Sequence, residues 1–520
     1  MKSTVTQKIS RVFTVLLLVF IFLTSLINAG LLTGALRTTL EEKSGFQGFI
    51  DNTKSAYVSS DFRFRNTYIN LNGLFARLTG RTVYNDVATI KNGMLINENL
   101  GRMDTKSAAK RTSDFRDFIE RNGGKFLFVQ APYKLDINNE LLPTGVNNSA
   151  NTRADNMLLE LSRYNVSTLD LRQTMATNAA ELEKYFYVTD HHWNTAGGFH
   201  AFTKITEEIS AMFPNKAAEN PFADINNWNK KTYKKWFLGS QGKRVGIFFA
   251  GIDDLEIYEP KEKTQISAYT VNHETYKSGS FTDVNIIKDY LDKPNYFGDN
   301  AYCSYIGGDY PLVQNRNKNA PIDLKVLVLK DSFTLPVQAF LTTTYTEVDV
   351  IDPRYFEECE LAEYVECNRP DIVVMLINPW SMEGERYYSQ GIDSASEYLS
   401  KTPEAIYKSP ELKINGSDEG FAIVKALKPN TKYTLKVSNI DAVAGNAEAA
   451  VFSLCDTASN SVITSRAADI EYYKDMGEYI WSFVTPDTDD NVALFVFAGA
   501  NGETNGNILN LKNVSLSEYK

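Results

Sequence analysis

The stretch KVLVLKDSFTLPVQAF (325–340) decides the fold class of this chain. An apolar run ends at Lys330, Ser332 follows at a turn, and Pro336 falls in the first turn of a predicted helix, where proline is tolerated. The run is short and almost wholly apolar, which is typical of a strand buried on both faces of a parallel sheet. A strand that turns directly into a helix is the building unit of an α/β fold.

Other stretches repeat this alternation on both sides of residues 325–340. Three more short apolar runs predict buried strands: KFLFVQ (125–130), EVDVID (347–352) and DIVVMLI (371–377). Between them, FEECELAEYVEC and GGFHAFTKITEEISAMF have helical spacing, the second with Phe199, Phe202 and Ile205 at steps of three. The alternation extends over residues 91–405 and predicts an α/β domain, a parallel sheet with helices on both faces.

The last part of the chain, residues 410–520, has a different texture. Short strand-like runs are separated by Gly, Asn, Asp and Pro, and apolar residues alternate in TKYTLKVSNI. This pattern predicts an all-β sandwich of the jelly-roll type, which is either a carbohydrate-binding module or a purely structural unit. Trp481, Tyr472 and Tyr473 are either rings that stack on a sugar or ordinary buried aromatics.

The N-terminus predicts a membrane anchor. Lys2, Lys8 and Arg11 precede an uncharged apolar run at 12–32, which as a helix would be about 31 Å long and would match a bilayer core of about 30 Å. We therefore expect a single-pass signal anchor within residues 1–35, then a stalk and first helices at 36–90, with the rest of the chain extracytoplasmic. If the segment is instead a cleaved signal peptide, the protein is secreted.

Composition excludes several other classes of protein. The formal net charge is −10 and no dense Lys/Arg stripe occurs, which argues against a nucleic-acid partner. The four cysteines include no CxxC pair, so a cysteine zinc site is not expected.

The histidines point to a candidate catalytic triad. Of only four histidines, two lie in YFYVTDHHWNTAGG, where Asp190 precedes His192 by two residues on a loop that opens a helix. Such a carboxylate can fix the tautomer of an imidazole that accepts a proton from a serine. Ser332 lies at the carboxyl end of a buried strand, the edge at which α/β proteins form their sites. We therefore predict a triad of Ser332, His192 and Asp190.

One alternative at this position is a metal site. Asp190, His191, His192 and His200 are potential ligands, but adjacent histidines rarely both reach one ion. We expect no metal and no cofactor.

These stretches together resemble the DHHW family and the related alginate O-acetylation proteins J and X. The similar motifs occur in the family's order: KNGMLI (91–96), APYK (131–134), DHHWN (190–194), FLGSQGKRVG (237–246), NAYCSYIGGDYP (300–311), LKDSF (329–333) and IDPRYF (351–356). The resemblance implies an SGNH-hydrolase-like fold whose motif order is circularly permuted, with Ser332 as nucleophile, His192 as base and Asp190 as its acidic partner. His191 is then the variable middle position.

Supporting residues are predicted with an alternative beside each. The candidates for oxyanion or substrate binding are Asn378, Arg354, Tyr355, Lys134 and Trp193. Asn378 is alternatively a turn-former before Pro379, and Arg354 and Lys134 either contact a charged sugar, position Asp190 or form buried ion pairs. Lys330 departs from the glycine that many SGNH enzymes carry before Asp-Ser, which affects the expected oxyanion geometry.

The resemblance implies an O-acetyltransferase that modifies an exopolysaccharide or cell-envelope glycan through an acyl-serine. It also implies a membrane-bound O-acyltransferase partner that supplies the acyl group. Two alternatives use the same residues differently: a polysaccharide O-acetyl esterase, in which water accepts the acyl group, and a glycan-binding scaffold without catalysis.

Overall fold

The structure of the protein is a computed structural model. It describes residues 15, 18–19, 22–24, 26–58, 63–97, 103–216, 218–271, 275–383, 387–388, 392–393, 403–417, 419–474, 478–487, 491–499 and 506–519. Much of the predicted membrane segment, 12–32, lies outside these residues. Among the helices that the structure describes, none is long and apolar enough to cross a membrane.

The described chain forms two compact units, one of residues 1–81 with 244–251 and one of residues 82–243 with 252–520. The helices are α1 Ala29–Glu42, α2 Gly45–Val58, α3 Arg65–Leu78, α4 Thr105–Arg121, α5 Ala150–Arg163, α6 Arg172–Met175, α7 Ala179–Tyr185, α8 Thr195–Met212, α9 Ser240–Val245, α10 Ile247–Ala250, α11 Phe281–Asn285, α12 Thr334–Thr344, α13 Leu361–Asn368 and α14 Ile470–Tyr473. The first eleven strands are β1 Val83–Tyr84, β2 Val87–Thr89, β3 Leu95–Asn97, β4 Lys125–Gln130, β5 Thr168–Asp170, β6 Trp228–Phe237, β7 Asp253–Pro260, β8 Ile266–Thr270, β9 Thr275–Gly279, β10 Leu312–Arg316 and β11 Ile322–Lys330. The remaining strands are β12 Tyr345–Ile351, β13 Ile372–Ile377, β14 Pro403–Asn415, β15 Phe421–Leu427, β16 Lys432–Val437, β17 Asn439–Ala444, β18 Ala449–Asp456, β19 Ser461–Asp469, β20 Tyr479–Val484, β21 Val492–Ala498 and β22 Ile508–Tyr519.

The smaller unit is helical. Helix α3 packs against the segment 244–251 through small residues, since Gly73 and Ala76 are buried. A Cβ added at Gly73 would lie 2.0 Å from the Val245 carbonyl oxygen, so this close approach requires glycine. Asn70 completes the contact, because its side-chain oxygen accepts from the Ile247 backbone N–H at 2.8 Å.

The larger unit is built on an eight-stranded sheet in the order β5-β4-β13-β11-β12-β10-β8-β9. The predicted strands β4, β11, β12 and β13 are parallel neighbours, as the sequence indicates. Strands β10, β8 and β9 extend the sheet in antiparallel fashion. The sheet is therefore mixed rather than wholly parallel. Antiparallel edge strands are common on α/β sheets because a short connection is enough to add them.

Both faces of this sheet are buried under helices, as predicted. One core contains Leu127 and Val326 of the sheet together with apolar residues of α8 and α12. The other contains Phe126 and Leu327 with residues of α4, α5 and α13. Neighbouring residues of one strand enter different cores because successive side chains of a strand point to opposite faces. This explains the continuous apolar runs in the sequence.

Helices α8 and α12 approach each other closely beside the sheet. A Cβ at Gly198 would lie 2.6 Å from a ring carbon of Pro336, and one at Gly197 would lie 2.4 Å from the Tyr185 carbonyl oxygen. Gly198 therefore allows the helix that follows His192 to pack against the helix that follows Ser332, and Gly197 allows the same helix to approach the end of α7.

The C-terminal strands form two antiparallel sheets, one of β14, β22, β16, β20 and β17 and one of β15, β21, β18 and β19. A shared apolar core lies between them, which is the sandwich arrangement that the sequence predicts. Its assignment to the jelly-roll type stays a prediction. Trp481 and Tyr472 are 2% and 0% exposed, so they are buried aromatics and are not available to stack on a sugar.

The sandwich is joined to the α/β part by buried polar contacts within the same compact unit. Glu363 of α13 is fully buried and accepts hydrogen bonds from the hydroxyls of Ser482, at 2.7 Å, and Tyr519, at 2.5 Å. The rings of Tyr269 and Tyr472 stack across the same joint with centroids 3.8 Å apart. Among the described residues, the two hydroxyls that donate to the Glu363 carboxyl group are both supplied by the sandwich.

Candidate active site

Ser332 lies just past the end of β11 and just before α12, in a segment that we call the serine turn (residues 331–333). Asp331 is fully buried at its start. One of its carboxylate oxygens accepts from the Phe333 N–H at 2.9 Å, and the other accepts from the backbone and side-chain amides of Asn378 at 2.8 and 2.7 Å. Burial raises the pKa of Asp331. The residue before the serine therefore ties the turn to the end of β13.

Asp190, His192 and Ser332 form one hydrogen-bonded chain. The Ser332 hydroxyl lies 2.7 Å from His192 Nε2, and His192 Nδ1 lies 2.6 Å from Asp190 Oδ1. Asp190 and His192 are 2% and 4% exposed, while Ser332 is half-buried. These are the distances that a nucleophile, a general base and the carboxylate that orients the base require. The structure thus brings together the three residues predicted as a triad.

The carboxylate of Asp190 is held by more than the imidazole. Its Oδ1 also accepts from the His192 backbone N–H at 3.0 Å, and its Oδ2 accepts from the Ser240 backbone N–H at 2.7 Å. Burial alone would raise the pKa of Asp190, but the two neighbouring histidines and these hydrogen bonds hold that pKa well below its ordinary value. Asp190 is therefore ionised, as the partner of an imidazolium must be.

Gly239 explains the FLGSQG motif, to which the sequence assigned no role. A Cβ at this position would lie 2.2 Å from the Cβ of Asp190, so only glycine lets the chain pass close enough for Ser240 to reach the carboxylate. The Gly239 N–H donates to the Thr189 hydroxyl at 2.8 Å. The motif supplies a backbone strap around the acidic residue.

The histidine loop (residues 187–192) is held in place by two buried ionisable side chains, Lys134 and Asp253. The Lys134 ammonium donates to the carbonyls of Tyr187, at 3.1 Å, Val188, at 3.0 Å, and Asp190, and to Gln241 Oε1 at 2.7 Å. Burial lowers the pKa of Lys134 to about 7. The 1% exposure of Lys134 excludes contact with a sugar. Of its predicted roles, positioning Asp190 is the one that this geometry allows.

Asp253 is the second group beneath the loop, and no motif in the sequence indicates it. Its carboxylate accepts from the backbone N–H groups of Val188 and Thr189 at 2.9 and 2.8 Å and from the Thr189 hydroxyl at 2.6 Å. Lys134 therefore binds the carbonyls of the loop while Asp253 binds its N–H groups. Together they satisfy backbone groups that would otherwise be buried without partners.

The imidazole of His192 is also held by aromatic side chains. The Tyr302 ring stacks on it with centroids 4.0 Å apart and planes 8° apart. The Tyr302 hydroxyl and the Trp193 indole N–H both donate to the Phe333 carbonyl, at 3.0 and 2.8 Å. Trp193 is fully buried, which corrects the prediction that it contacts substrate. It links the histidine loop to the serine turn instead.

Asn378 is placed as a turn residue. Its side-chain oxygen accepts from the Trp380 N–H at 2.7 Å, and its amide nitrogen donates to Asp331 and, at 3.2 Å, to Ser381 Oγ. Both amide hydrogens are therefore engaged, and the side chain does not face an oxyanion. The predicted oxyanion role gives way to the alternative of a turn-former because Asp331 takes the amide.

Lys330 and Arg354 share a cluster of charges beside the turn. Lys330 pairs with Asp309 and lies 3.5 Å from Asp352, while Arg354 binds Asp352 at 2.6 Å and Asp309 at 3.4 Å. The Lys330 side chain is 2% exposed. The lysine that replaces the glycine of many SGNH enzymes therefore has its ammonium group buried against Asp309 and Asp352. Arg354 is thus an ion-pair member that remains partly exposed.

Two further predicted residues differ in accessibility. Tyr355 is 44% exposed, with the Arg354 guanidinium 5.2 Å from its ring centroid, so it is free to contact a ligand. His200 is held elsewhere, with Nε2 2.9 Å from the Thr174 hydroxyl and Nδ1 3.3 Å from the Tyr185 hydroxyl. His200 therefore does not join the triad histidine.

The residues of the alternative metal site are engaged in hydrogen bonds within the chain. Asp190, His191 and His192 offer ligand atoms within 4.8 Å of one another. Both ring nitrogens of His192 are already hydrogen-bonded, and His191 Nδ1 lies 2.9 Å from the Ser240 hydroxyl. A metal ligand must present a free nitrogen lone pair, so the geometry favours the triad.

An α/β sheet that carries a hydrogen-bonded Ser–His–Asp chain at the carboxyl ends of its strands is the arrangement of SGNH hydrolase-like proteins. Residues 93–232 match the family described as SGNH hydrolase-like domain, acetyltransferase AlgX. The match confirms the resemblance over this segment. It contains Lys134, Asp190 and His192 and ends before Ser332.

Three of the solved structures that are similar to this chain are described here by name. PatB1 of Bacillus cereus with a sulfonyl adduct is 19% identical, with 58% of this chain and 98% of that chain covered and a TM-score of 0.49. A DHHW family protein from Eubacterium siraeum is 20% identical, with 59% and 95% covered and a TM-score of 0.43. The O-acetyltransferase domain of Pseudomonas putida AlgJ is 12% identical, with 59% and 99% covered and a TM-score of 0.36. All three TM-scores are below 0.5. No curated protein matches the chain.

Proposed function

We propose that this protein is a membrane-tethered, extracytoplasmic O-acetyltransferase that modifies an exopolysaccharide or another cell-envelope glycan through an acyl-serine. The observation that carries the proposal is the hydrogen-bonded chain from Ser332 through His192 to Asp190. The match of residues 93–232 to a family of acetyltransferases supports the choice of acyl group.

The proposed reaction begins at Ser332. His192 Nε2 takes the hydroxyl proton as Ser332 Oγ attacks the carbonyl carbon of the acyl donor, and the ionised Asp190 stabilises the imidazolium. His192 returns the proton to the leaving group, which departs and leaves acetyl on Ser332. A hydroxyl of the glycan then attacks the ester, with His192 again as base, and His192 returns the proton to Ser332 Oγ as the acetylated glycan leaves.

The fold holds the His192 imidazole in one position during both steps. Tyr302 stacks on the imidazole, and Lys134 and Asp253 fix the loop that carries it. A site whose groups need not reorganise during the reaction lowers the barrier.

The proposal also includes a membrane tether, a partner that supplies the acyl group and a contact for the glycan. The apolar run at 12–32 is the tether, and a membrane-bound O-acyltransferase supplies the acyl group to the outer side. Tyr355, which is exposed beside Arg354, is a candidate contact for the glycan. A polysaccharide O-acetyl esterase would use the same three residues with water as the acceptor.

The test is incubation of the full chain with a chromogenic acetyl ester, with and without an unacetylated oligosaccharide, followed by mass spectrometry. We expect acetyl on Ser332 and its transfer to the oligosaccharide. Release as free acetate alone, with acceptor present, would favour the esterase. If neither Ser332 acetylation nor labelling by a serine-directed phosphonate occurs, the catalytic proposal is wrong and the scaffold alternative stands.

A further inference from the structure

The helix α3 of the smaller unit exposes the face that a helix normally buries. Leu71, Leu74, Phe75 and Leu78 recur at the spacing of one helical stripe. They are 48%, 36%, 61% and 77% exposed. The opposite face carries Gly73 and Ala76, which are buried against the segment 244–251. We call the four exposed side chains the α3 stripe.

Other helices of the same unit also expose large apolar side chains. Leu36 and Leu40 of α1, Phe46 of α2 and Phe248 of α10 are 48%, 69%, 80% and 50% exposed. Among the described residues, most of the exposed large apolar side chains lie in this unit, although it is the much smaller of the two. An exposed apolar stripe in a unit of this composition marks a binding surface.

Charge indicates what covers the stripe. Residues 62–85 contain four arginines, Arg63, Arg65, Arg77 and Arg81, and no acidic residue, whereas the whole chain has a formal net charge of −10. A basic helix with one apolar face is typical of helices that lie on an anionic lipid surface.

The start of α3 is attached to the apolar N-terminal run. The Tyr68 hydroxyl lies 3.2 Å from the Thr24 hydroxyl, and the Arg63 backbone N–H donates to the Asn28 side chain at 2.8 Å. A bilayer that receives the apolar run at 12–32 would therefore meet α3 as well. The surface is continuous with the segment that the sequence assigns to the membrane.

We propose that α3 lies in the interface of an anionic bilayer, with the α3 stripe among the acyl chains and the four arginines at the phosphate groups. This goes beyond the tether proposed above, since it assigns a second lipid contact to residues 63–81. It does not depend on acetyl transfer, so its test and the test of Ser332 can fail separately.

The test places a fluorophore along α3 in the full chain. Single variants Phe75→Cys and Leu78→Cys are labelled with an environment-sensitive dye and reconstituted in phosphatidylglycerol vesicles that contain a nitroxide-labelled lipid. The matched control is Asn72→Cys, because Asn72 is exposed on the same helix about 100° from Leu71. The unsubstituted chain, labelled in parallel, measures background from the four native cysteines.

We expect blue-shifted emission and lipid quenching at positions 75 and 78, at least about twofold stronger than at position 72. Water-like emission at 75 and 78 would overturn the proposal. Blue-shifted emission without lipid quenching would also overturn it and would indicate a second copy on the stripe. In phosphatidylcholine vesicles the quenching should fall severalfold, and equal quenching would overturn the role assigned to the arginines.

Discussion

The histidine loop and the serine turn are held in place in different ways. The loop depends on groups that come from three other segments of the chain, namely Lys134, Asp253 and the Ser240 backbone. The turn contains its own buried carboxyl group, Asp331, which accepts from Asn378, and its Phe333 carbonyl accepts from Tyr302 and Trp193. The ionisable groups that hold the base therefore include two from outside its loop, whereas the one that holds the nucleophile lies within its turn. Substitutions in the two regions should therefore have different effects on kcat and on stability.

The largest effect is expected where the two regions meet. Ser332→Ala removes the nucleophile while the base and carboxylate remain, so the acetyl-transfer kcat should fall by about 10⁵- to 10⁶-fold. The matched control is Ser240→Ala, which keeps the backbone N–H that binds Asp190 and should retain activity within about tenfold. Initial rates with a chromogenic acetyl ester measure both. Comparable losses in the two variants would contradict the assignment of Ser332.

On the side of the loop, Asp190→Asn should reduce kcat by about 10⁴-fold. An amide NH₂ facing His192 Nδ1 favours the imidazole tautomer that cannot accept the serine proton. The KM for the ester should change little, because the acyl donor does not contact Asp190. A kcat that stays within tenfold of the original would show that the base does not need its carboxylate.

A substitution outside the triad tests the strap around Asp190. Gly239→Ala places a methyl group where the Asp190 Cβ lies only 2.2 Å away, so the carboxylate must move. A shift of about 1 Å in a catalytic group costs about 10²-fold in rate. The expected result is a loss in kcat of that size with the fold retained, as measured by circular dichroism. Unchanged kcat would mean that the loop relaxes without displacing the triad.

On the side of the turn, Asn378→Ala should lower the free energy of unfolding by about 1–3 kcal/mol, because it removes a hydrogen bond to the buried Asp331. The kcat should remain within about tenfold. Urea denaturation and ester hydrolysis together separate the two roles predicted for this residue. A 10²- to 10³-fold lower kcat at unchanged stability is the outcome expected of an oxyanion donor and would restore that role.

The smallest effect concerns acid stability. Because the folded state depresses the pKa of Asp190 below 3.8, the ionised carboxylate stabilises the fold at pH values above about 4, and this contribution is lost as the pH falls further. The stability difference between the native chain and Asp190→Asn should be smaller below pH 4 than at pH 5. A difference that grows on acidification would contradict the sign of the shift.

The sequence predicts the α/β fold because its strands are read from unbroken apolar runs. Four runs correspond to β4, β11, β12 and β13, which lie side by side in the structure. The antiparallel strands β8, β9 and β10 were not predicted, since short edge strands have mixed composition and little periodicity. The helix expected from Phe356 begins only at Leu361, because boundaries depend on tertiary contacts.

The candidate site also has parts that the sequence predicts and parts that it does not. Asp190 and His192 are two residues apart, so local geometry predicts their contact, and strand-end placement brings in Ser332. The contributions of Asp253 and Tyr302 could not be predicted, because they arise from packing between segments far apart in the chain. The signal for Tyr302 was its place in NAYCSYIGGDYP, a motif without an assigned role, and Asp253 had none.

The Glu363 joint also bears on how such a chain can change over evolution. A domain that is shuffled between proteins needs a surface that is satisfied when it stands alone. Among the described residues, the Glu363 carboxyl group on α13 is hydrogen-bonded by the hydroxyls of Ser482 and Tyr519, and losing both donors would leave a buried polar group without those partners, at a cost of about 1–3 kcal/mol. Exchange of either part between proteins would therefore require a compensating change at position 363.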